Sequence, residues 1–150
     1  MSGTPAIGVG AGNVVTIIDE TADLNDAATK IAASKTFDNA TSCSSENSLV
    51  VVEPIYDQMI AALANAGGFL LNEEQSQLVQ SVHWQNGKMT TTLLAQDIDK
   101  VLDATGLDKT APNNTRFLIL PQSDIGPEYP LTGEKMARFL SIHKAANFEG

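Results

Sequence analysis

The chain has one cysteine, Cys43, and it stands in "TSCSSEN", directly ahead of the apolar run "SLVVV". A cysteine kept for packing behaves as a small hydrophobe and belongs inside such a run. Here Thr41, Ser42, Ser44 and Ser45 leave the sulfur and the nearby backbone N–H groups open to a ligand, and a thiolate beside such donors is stabilised. These residue types suit a nucleophile. The sequence shows no base next to it, and His83 and His143 are the two imidazoles that could serve as one.

Two other groups of residues invite chemistry and fail on spacing. "GVGAGN" (8–13) has the glycines of a phosphate loop, but they precede a strand instead of opening a helix, and no Gly-Lys-Ser/Thr follows. A tight turn with close backbone approach is the better reading. His83 and His143 lie far apart, with no cysteine pair and no ligand at helical spacing to either, so no metal site is expected.

A chain of 150 residues is the size of one domain with one substantial core. Nine basic against eighteen acidic side chains give a net charge of -9, without a basic cluster to neutralise phosphates, which argues against nucleic-acid binding. No apolar stretch is long enough to cross a bilayer, and the N-terminus lacks the pattern of a signal peptide. A single cysteine allows no internal disulfide, in keeping with a reducing, cytoplasmic setting.

The elements that must position Cys43 alternate between strand and helix. "VVTIID" (14–19) reads as a buried strand. Asp23 caps a helix whose face is Leu24, Ala27, Ala28, Ile31 and Ala32. "SLVVVE" (48–53) is a second strand, and Pro54 opens a helix carrying Ile55, Met59, Ile60 and Leu63, ended by Gly67-Gly68. Asn72 caps a further helix over 73–82 with Leu78, Val79 and Val82 inward. Residues 97–105 form a short helix stopped by Gly106, and "RFLIL" (116–120) is a strand. A long loop, "PQSDIGPEYPLTGE", then leads to a last strand, "ARFLSIH" (137–143). This alternation predicts an α/β three-layer sandwich with a mostly parallel sheet and right-handed crossovers.

Taken together, "GVGAGN", "DETADLNDAATKIAASKTFDNATSCSSENSLVVVEPIYDQM" and "GEKMARFLSIHKAANFE" resemble the catalytic portion of CoA-acylating aldehyde dehydrogenases, in the acetaldehyde, succinate-semialdehyde and sulfoacetaldehyde branch. The resemblance covers nearly the whole chain and is most specific over residues 8–57. It implies that Cys43 is the catalytic nucleophile and forms a thiohemiacetal with a small aldehyde. Hydride loss to NAD or NADP would leave a thioester, which coenzyme A as cosubstrate takes up. The oxyanion would face the Cys43 backbone N–H, with the family's asparagine partner lying upstream of this chain.

The hydrolytic branch of that family has "ELGGK" where this chain has "VGAGN", which puts Val9 in the place of the glutamate that activates water. Valine cannot accept a proton, so thiolysis by coenzyme A is favoured over hydrolysis. "GEKM" matches the segment in which a glutamate contacts the nicotinamide ribose, making Glu134 the cofactor-binding residue. Lys135, Met136, Ala137 and Arg138 fill the positions after it where the family usually has a proline, which implies a different local loop.

The resemblance further implies that residues 1–150 are the catalytic domain alone, with the N-terminal dinucleotide-binding domain absent, so weak NAD binding and low turnover are expected of the isolated chain. Homo-oligomerisation is expected through the face left uncovered. Two other classes remain open at this point. One is a cysteine-dependent hydrolase or acyltransferase with His83 or His143 as base, and the other is a non-catalytic α/β assembly module.

Overall fold

The computed structural model describes Gly3, Pro5, Gly10 and residues 12–149. Five parallel strands form the sheet: β1 (Val15–Ile18), β2 (Ser48–Val52), β3 (Gly68–Leu70), β6 (Phe117–Gln122) and β7 (Phe139–Ala145). Their spatial order is β1-β2-β7-β6-β3, and a separate hairpin pairs β4 (Trp84–Gln85) with β5 (Lys88–Met89). Every pair in the five-stranded sheet is parallel, as the strand–helix alternation predicts.

Alternation along the strands divides the core in two. Leu49 and Val51 of β2, Phe117 and Ile119 of β6, and Leu140 and Ile142 of β7 face α1 (Leu24–Thr36) and α2 (Tyr56–Asn65). Leu118, Leu120 and Phe139 face the other way, onto α3 (Glu73–His83) and α4 (Ile98–Thr105). The result is the three-layer α/β sandwich expected of central strands buried on both faces.

The helix signals hold where a cap is present. Asp23 accepts from the N–H groups of Asn25 and Asp26, and Asn72 and Gln75 form a capping box. Gly106, in the left-handed region, ends α4.

Several expectations need correction. The run at 14–19 is an edge strand: Val15 is 49% and Ile17 59% exposed, because α3 and α4 cover only the opposite half of their sheet face. Leu78 is not inward, since on α3 it is Val79 that points into the core and Leu78 lies in solvent. The helix after Pro54 starts one short 3-10 turn later, at Tyr56. Gly67 ends that segment, but Gly68 already belongs to β3, where a Cβ would stand 2.6 Å from Ile119 Cδ1 and 3.0 Å from the Leu63 carbonyl. β6 runs on through Pro121, whose missing N–H costs nothing because β3 has ended at Leu70 and leaves that side unpaired. The last strand starts two residues later than expected, at Phe139.

Candidate functional site

β1, β2 and β7 lie side by side and parallel, so the segments that enter them meet at one rim of the sheet. Gly12 and Asn13 enter β1, the Cys43 turn enters β2, and Glu134 and Lys135 lead into β7. Sheet order, not sequence distance, brings these residues together. The site therefore forms at the amino ends of the strands, opposite to the usual location in open α/β sheets.

The backbone leaves α1 through Asp38, Asn39 and Ala40, all in the left-handed region with φ of 45°, 53° and 59°. Such a run persists only when its surroundings hold it. Thr41 Oγ1 donates to the Asp38 carboxylate at 2.7 Å, and Asn39 Nδ2 donates to the Ala95 carbonyl at 3.1 Å. A turn follows, closed by the Ser45 N–H on the Ser42 carbonyl at 3.0 Å, and Cys43 occupies its first corner with the thiol exposed. Ser42 Oγ and Ser44 Oγ bond each other at 2.8 Å. The Cys43 N–H finds no acceptor among the described residues, which leaves a backbone donor free next to the sulfur.

Glu134 is half-buried at the edge of a cleft of about 1150 Å³, whose walls include Asn13, Val50, Trp84, Tyr129 and His143. Cys43 is not part of that wall. The two residues nevertheless approach a common point, because a Cβ on Gly12 would lie 3.5 Å from Glu134 Oε1 and 3.7 Å from the Cys43 carbonyl oxygen. Among the described residues, no ion pair includes Glu134. Its carboxylate thus fits the role of accepting hydroxyl protons from a polar ligand in the cleft.

Two lysines lie fully buried behind the turn. Lys35 Nζ donates to the Glu46 carbonyl at 3.0 Å, and Lys135 Nζ donates to the carbonyls of Asn47 at 2.8 Å and Gly133 at 2.9 Å. Burial lowers the Lys35 ammonium to about 8, with the Glu46 carboxylate acting in the opposite sense. Burial also lowers Lys135, and the charge of Lys35 adds to the effect.

The two histidines have separate surroundings. His83 is fully buried in T-shaped contact with Trp84 and Phe139, and its Nε2 meets the Lys135 carbonyl at 2.9 Å. A carbonyl only accepts, so Nε2 carries the proton and Nδ1 is left without a partner among the described residues. Burial holds His83 down to about 4; the hydrogen bond to Lys135 opposes that shift and the Lys135 charge adds to it. His143 faces the cleft half-buried, its pKa lowered by burial and by Lys135. No hydrogen bond joins either imidazole to Cys43 among the described residues, so the geometry does not favour a cysteine–histidine pair. No group of three His, Cys, Asp or Glu side chains converges on one point among those residues. Among the described residues, no helix is long and apolar enough to cross a membrane. Val9 and Gly8 lie outside the described residues.

Sequence reasoning named Cys43 and Glu134 but missed Lys35, Asn39 and Asn47, and it treated Lys135 only as loop filling. Lys35 left a readable trace. It falls four positions after Ile31 on the apolar stripe of α1, where a cation needs a buried acceptor.

Comparison with known proteins adds to this geometry. The profile of the aldehyde dehydrogenase family matches residues 8–68. An acylating sulfoacetaldehyde dehydrogenase of Cupriavidus necator is 44% identical over 97% of this chain, which covers 30% of that protein. An acetylating aldehyde dehydrogenase from Geobacillus thermoglucosidasius superposes with a TM-score of 0.90 at 34% identity, over 99% of this chain and 32% of its own. A Rhodopseudomonas palustris propionaldehyde dehydrogenase, solved with bound CoA and an acylated cysteine, has a TM-score of 0.82 at 25% identity, over 98% of this chain and 33% of its own. The chain thus spans about a third of the length of each of these three relatives.

Proposed function

Since the chain belongs to the aldehyde dehydrogenase family and its relatives are CoA-acylating members, we propose that residues 1–150 are the catalytic domain of such an enzyme, with Cys43 as nucleophile and Glu134 as cofactor contact. The observation that carries this reading is the approach of an exposed cysteine turn and a half-buried glutamate to one point beside Gly12. The acylated cysteine of the propionaldehyde dehydrogenase shows that a thioester can be held on a protein of this fold.

In the proposed mechanism Cys43 Sγ, as thiolate, adds to the carbonyl carbon of a small aldehyde, and the oxygen takes up the electron pair facing the Cys43 N–H. Glu134 would hold the ribose of NAD or NADP, and that group, when bound, would supply the hydride acceptor for oxidation of the adduct to a thioester. The thiolate of coenzyme A then adds to the thioester carbon, the C–Sγ bond breaks, and Cys43 returns as thiolate with acyl-CoA as product. Val9 offers no base for activating water in competition with this last step. The exposed apolar strip of β1, Val15 and Ile17, supports homo-oligomerisation as part of the proposal. A cytoplasmic location accords with the reduced thiol the mechanism needs.

The last step run backwards needs no nicotinamide and therefore tests the nucleophile alone. Incubation with a short-chain acyl-CoA should add one acyl group to the intact protein and release one equivalent of coenzyme A, with the adduct on Cys43 and labile to hydroxylamine. An unchanged mass after prolonged incubation with excess acyl-CoA would remove Cys43 from the role.

A further inference from the structure

Lys135 is fully buried, and among the described residues it has no carboxylate within ion-pair distance. The charge that acts on it is that of another buried lysine, Lys35. For stability alone, an apolar side chain of the same length would serve better, because a desolvated cation is costly unless its surroundings are built for it. Here they are. Nζ bonds Asn47, just past the cysteine turn, and Gly133, just before Glu134. The Lys135 N–H donates to Asn47 Oδ1 at 3.0 Å, and its carbonyl is held by His83.

A second tie crosses on the other side of the turn. Asn39 Nδ2 donates to the Ala95 carbonyl, and the Ala95 N–H donates to the Met136 carbonyl at 3.0 Å. Ala95 and Met136 both sit in the left-handed region, at φ of 58° and 47°. The cysteine turn is therefore fixed at both ends, through Asn39 and Asn47, to the short segment that carries Glu134.

We propose that Lys135 is a positioning residue whose buried Nζ, acting with Asn39 and Asn47, sets the separation of the Cys43 turn and Glu134. The inference rests on the functional reading only for what is being positioned. Sites break local rules of burial where their geometry matters, and a lysine with no countercharge that joins the Asn47 and Gly133 carbonyls is such a case.

Native-state hydrogen exchange over a denaturant series reads the clamp without any turnover. In the unaltered protein the Ser45 and Lys135 amides should open together, with one free energy and one denaturant slope. In K135M both should exchange at least about tenfold faster while Leu118 and Leu120 in β6 keep their protection. Loss at one segment alone, or loss at both only in proportion to β6, would overturn the proposal. Should K135M not fold, the series on the unaltered protein still decides, because different slopes for the two amides refute the clamp. A 19F label on Cys43 from bromotrifluoroacetone adds a signature at the turn itself. We expect one narrow resonance in the unaltered protein, broadened or split in K135M and narrowed again in K135R, and an unchanged resonance in K135M counts against the role. Acyl transfer from acyl-CoA separates the two claims. If Cys43 takes no acyl group while the amides stay coupled, the functional reading fails and the clamp stands; normal acylation with uncoupled amides gives the reverse.

Discussion

Glu134 Oε1 and the carbonyl oxygen of Cys43 flank the same side of Gly12, at 3.5 Å and 3.7 Å from where its Cβ would be. A methyl group fits there at ordinary contact distance, so Gly12→Ala should change stability by no more than about 0.5 kcal/mol. The branched side chain of Gly12→Val must push the carboxylate aside. In the assembled enzyme this should raise KM for the nicotinamide several-fold while acyl transfer from acyl-CoA to Cys43 stays within about twofold, since in the proposed mechanism only one of the two steps depends on Glu134. Equal losses in both would show that the two residues do not have separate roles.

Cys43→Ser should abolish acyl transfer from acyl-CoA, with a rate at least about a thousandfold lower, because a serine hydroxyl without a base is almost entirely protonated at neutral pH. The thiol is exposed, so the urea midpoint should not move beyond what about 0.5 kcal/mol allows. Rate from intact mass and midpoint from circular dichroism check the two halves.

His83 predicts acid sensitivity. Its pKa is held to about 4 in the fold against 6.5 unfolded, so between those values the unfolded chain binds the extra proton. Stability should therefore fall as pH drops from 6.5 toward 4, by up to about 3 kcal/mol. Urea titrations at pH 7 and pH 4.5 measure this, and His83→Phe should flatten the difference. An equal slope in the variant would assign the effect to other groups.

Lys35 acts at the other end of the scale. Its pKa of about 8 lies below the ordinary lysine value of 10.5, so the unfolded chain again holds more protons in between. Stability should rise between pH 8 and 10, on the order of 2 kcal/mol, with Lys135 contributing in the same direction. Tyr56, raised by burial and by Asp57, works against this only above about 10. Urea midpoints at pH 7.5 and 9.5 should show the gain, and Lys35→Met should show less of it.

The sequence carried most of the architecture because continuous apolar runs, capping residues and alternation are local signals. It failed where the deciding contact is distant. Nothing around Ile17 says that the helices of that layer stop short of β1, and nothing around Leu78 says that the sheet lies on Val79's side of α3. The hairpin was readable and missed: Asn86-Gly87 sit at φ of 54° and 72°, the turn that dipeptide favours. Cys43 stood out by its small polar neighbours and took its role, like Glu134, from family resemblance, whereas Asn39, Asn47 and Lys135 act through hydrogen bonds between segments that only the sheet order makes neighbours.

That sheet order has a consequence for how such chains can diverge. With Val15 opposite Ser48 and Ser48 opposite Ser141, the ladder works as a ruler that fixes the heights of the three entry segments. A single-residue insertion within a strand would shift one of them by about 3.3 Å and turn its side chains to the wrong face. The far rim, where the same strands run out at Ile18, Val52 and Ala145, carries no such burden. Lineages can lengthen or replace connections there while the chemistry on the near rim stays in register.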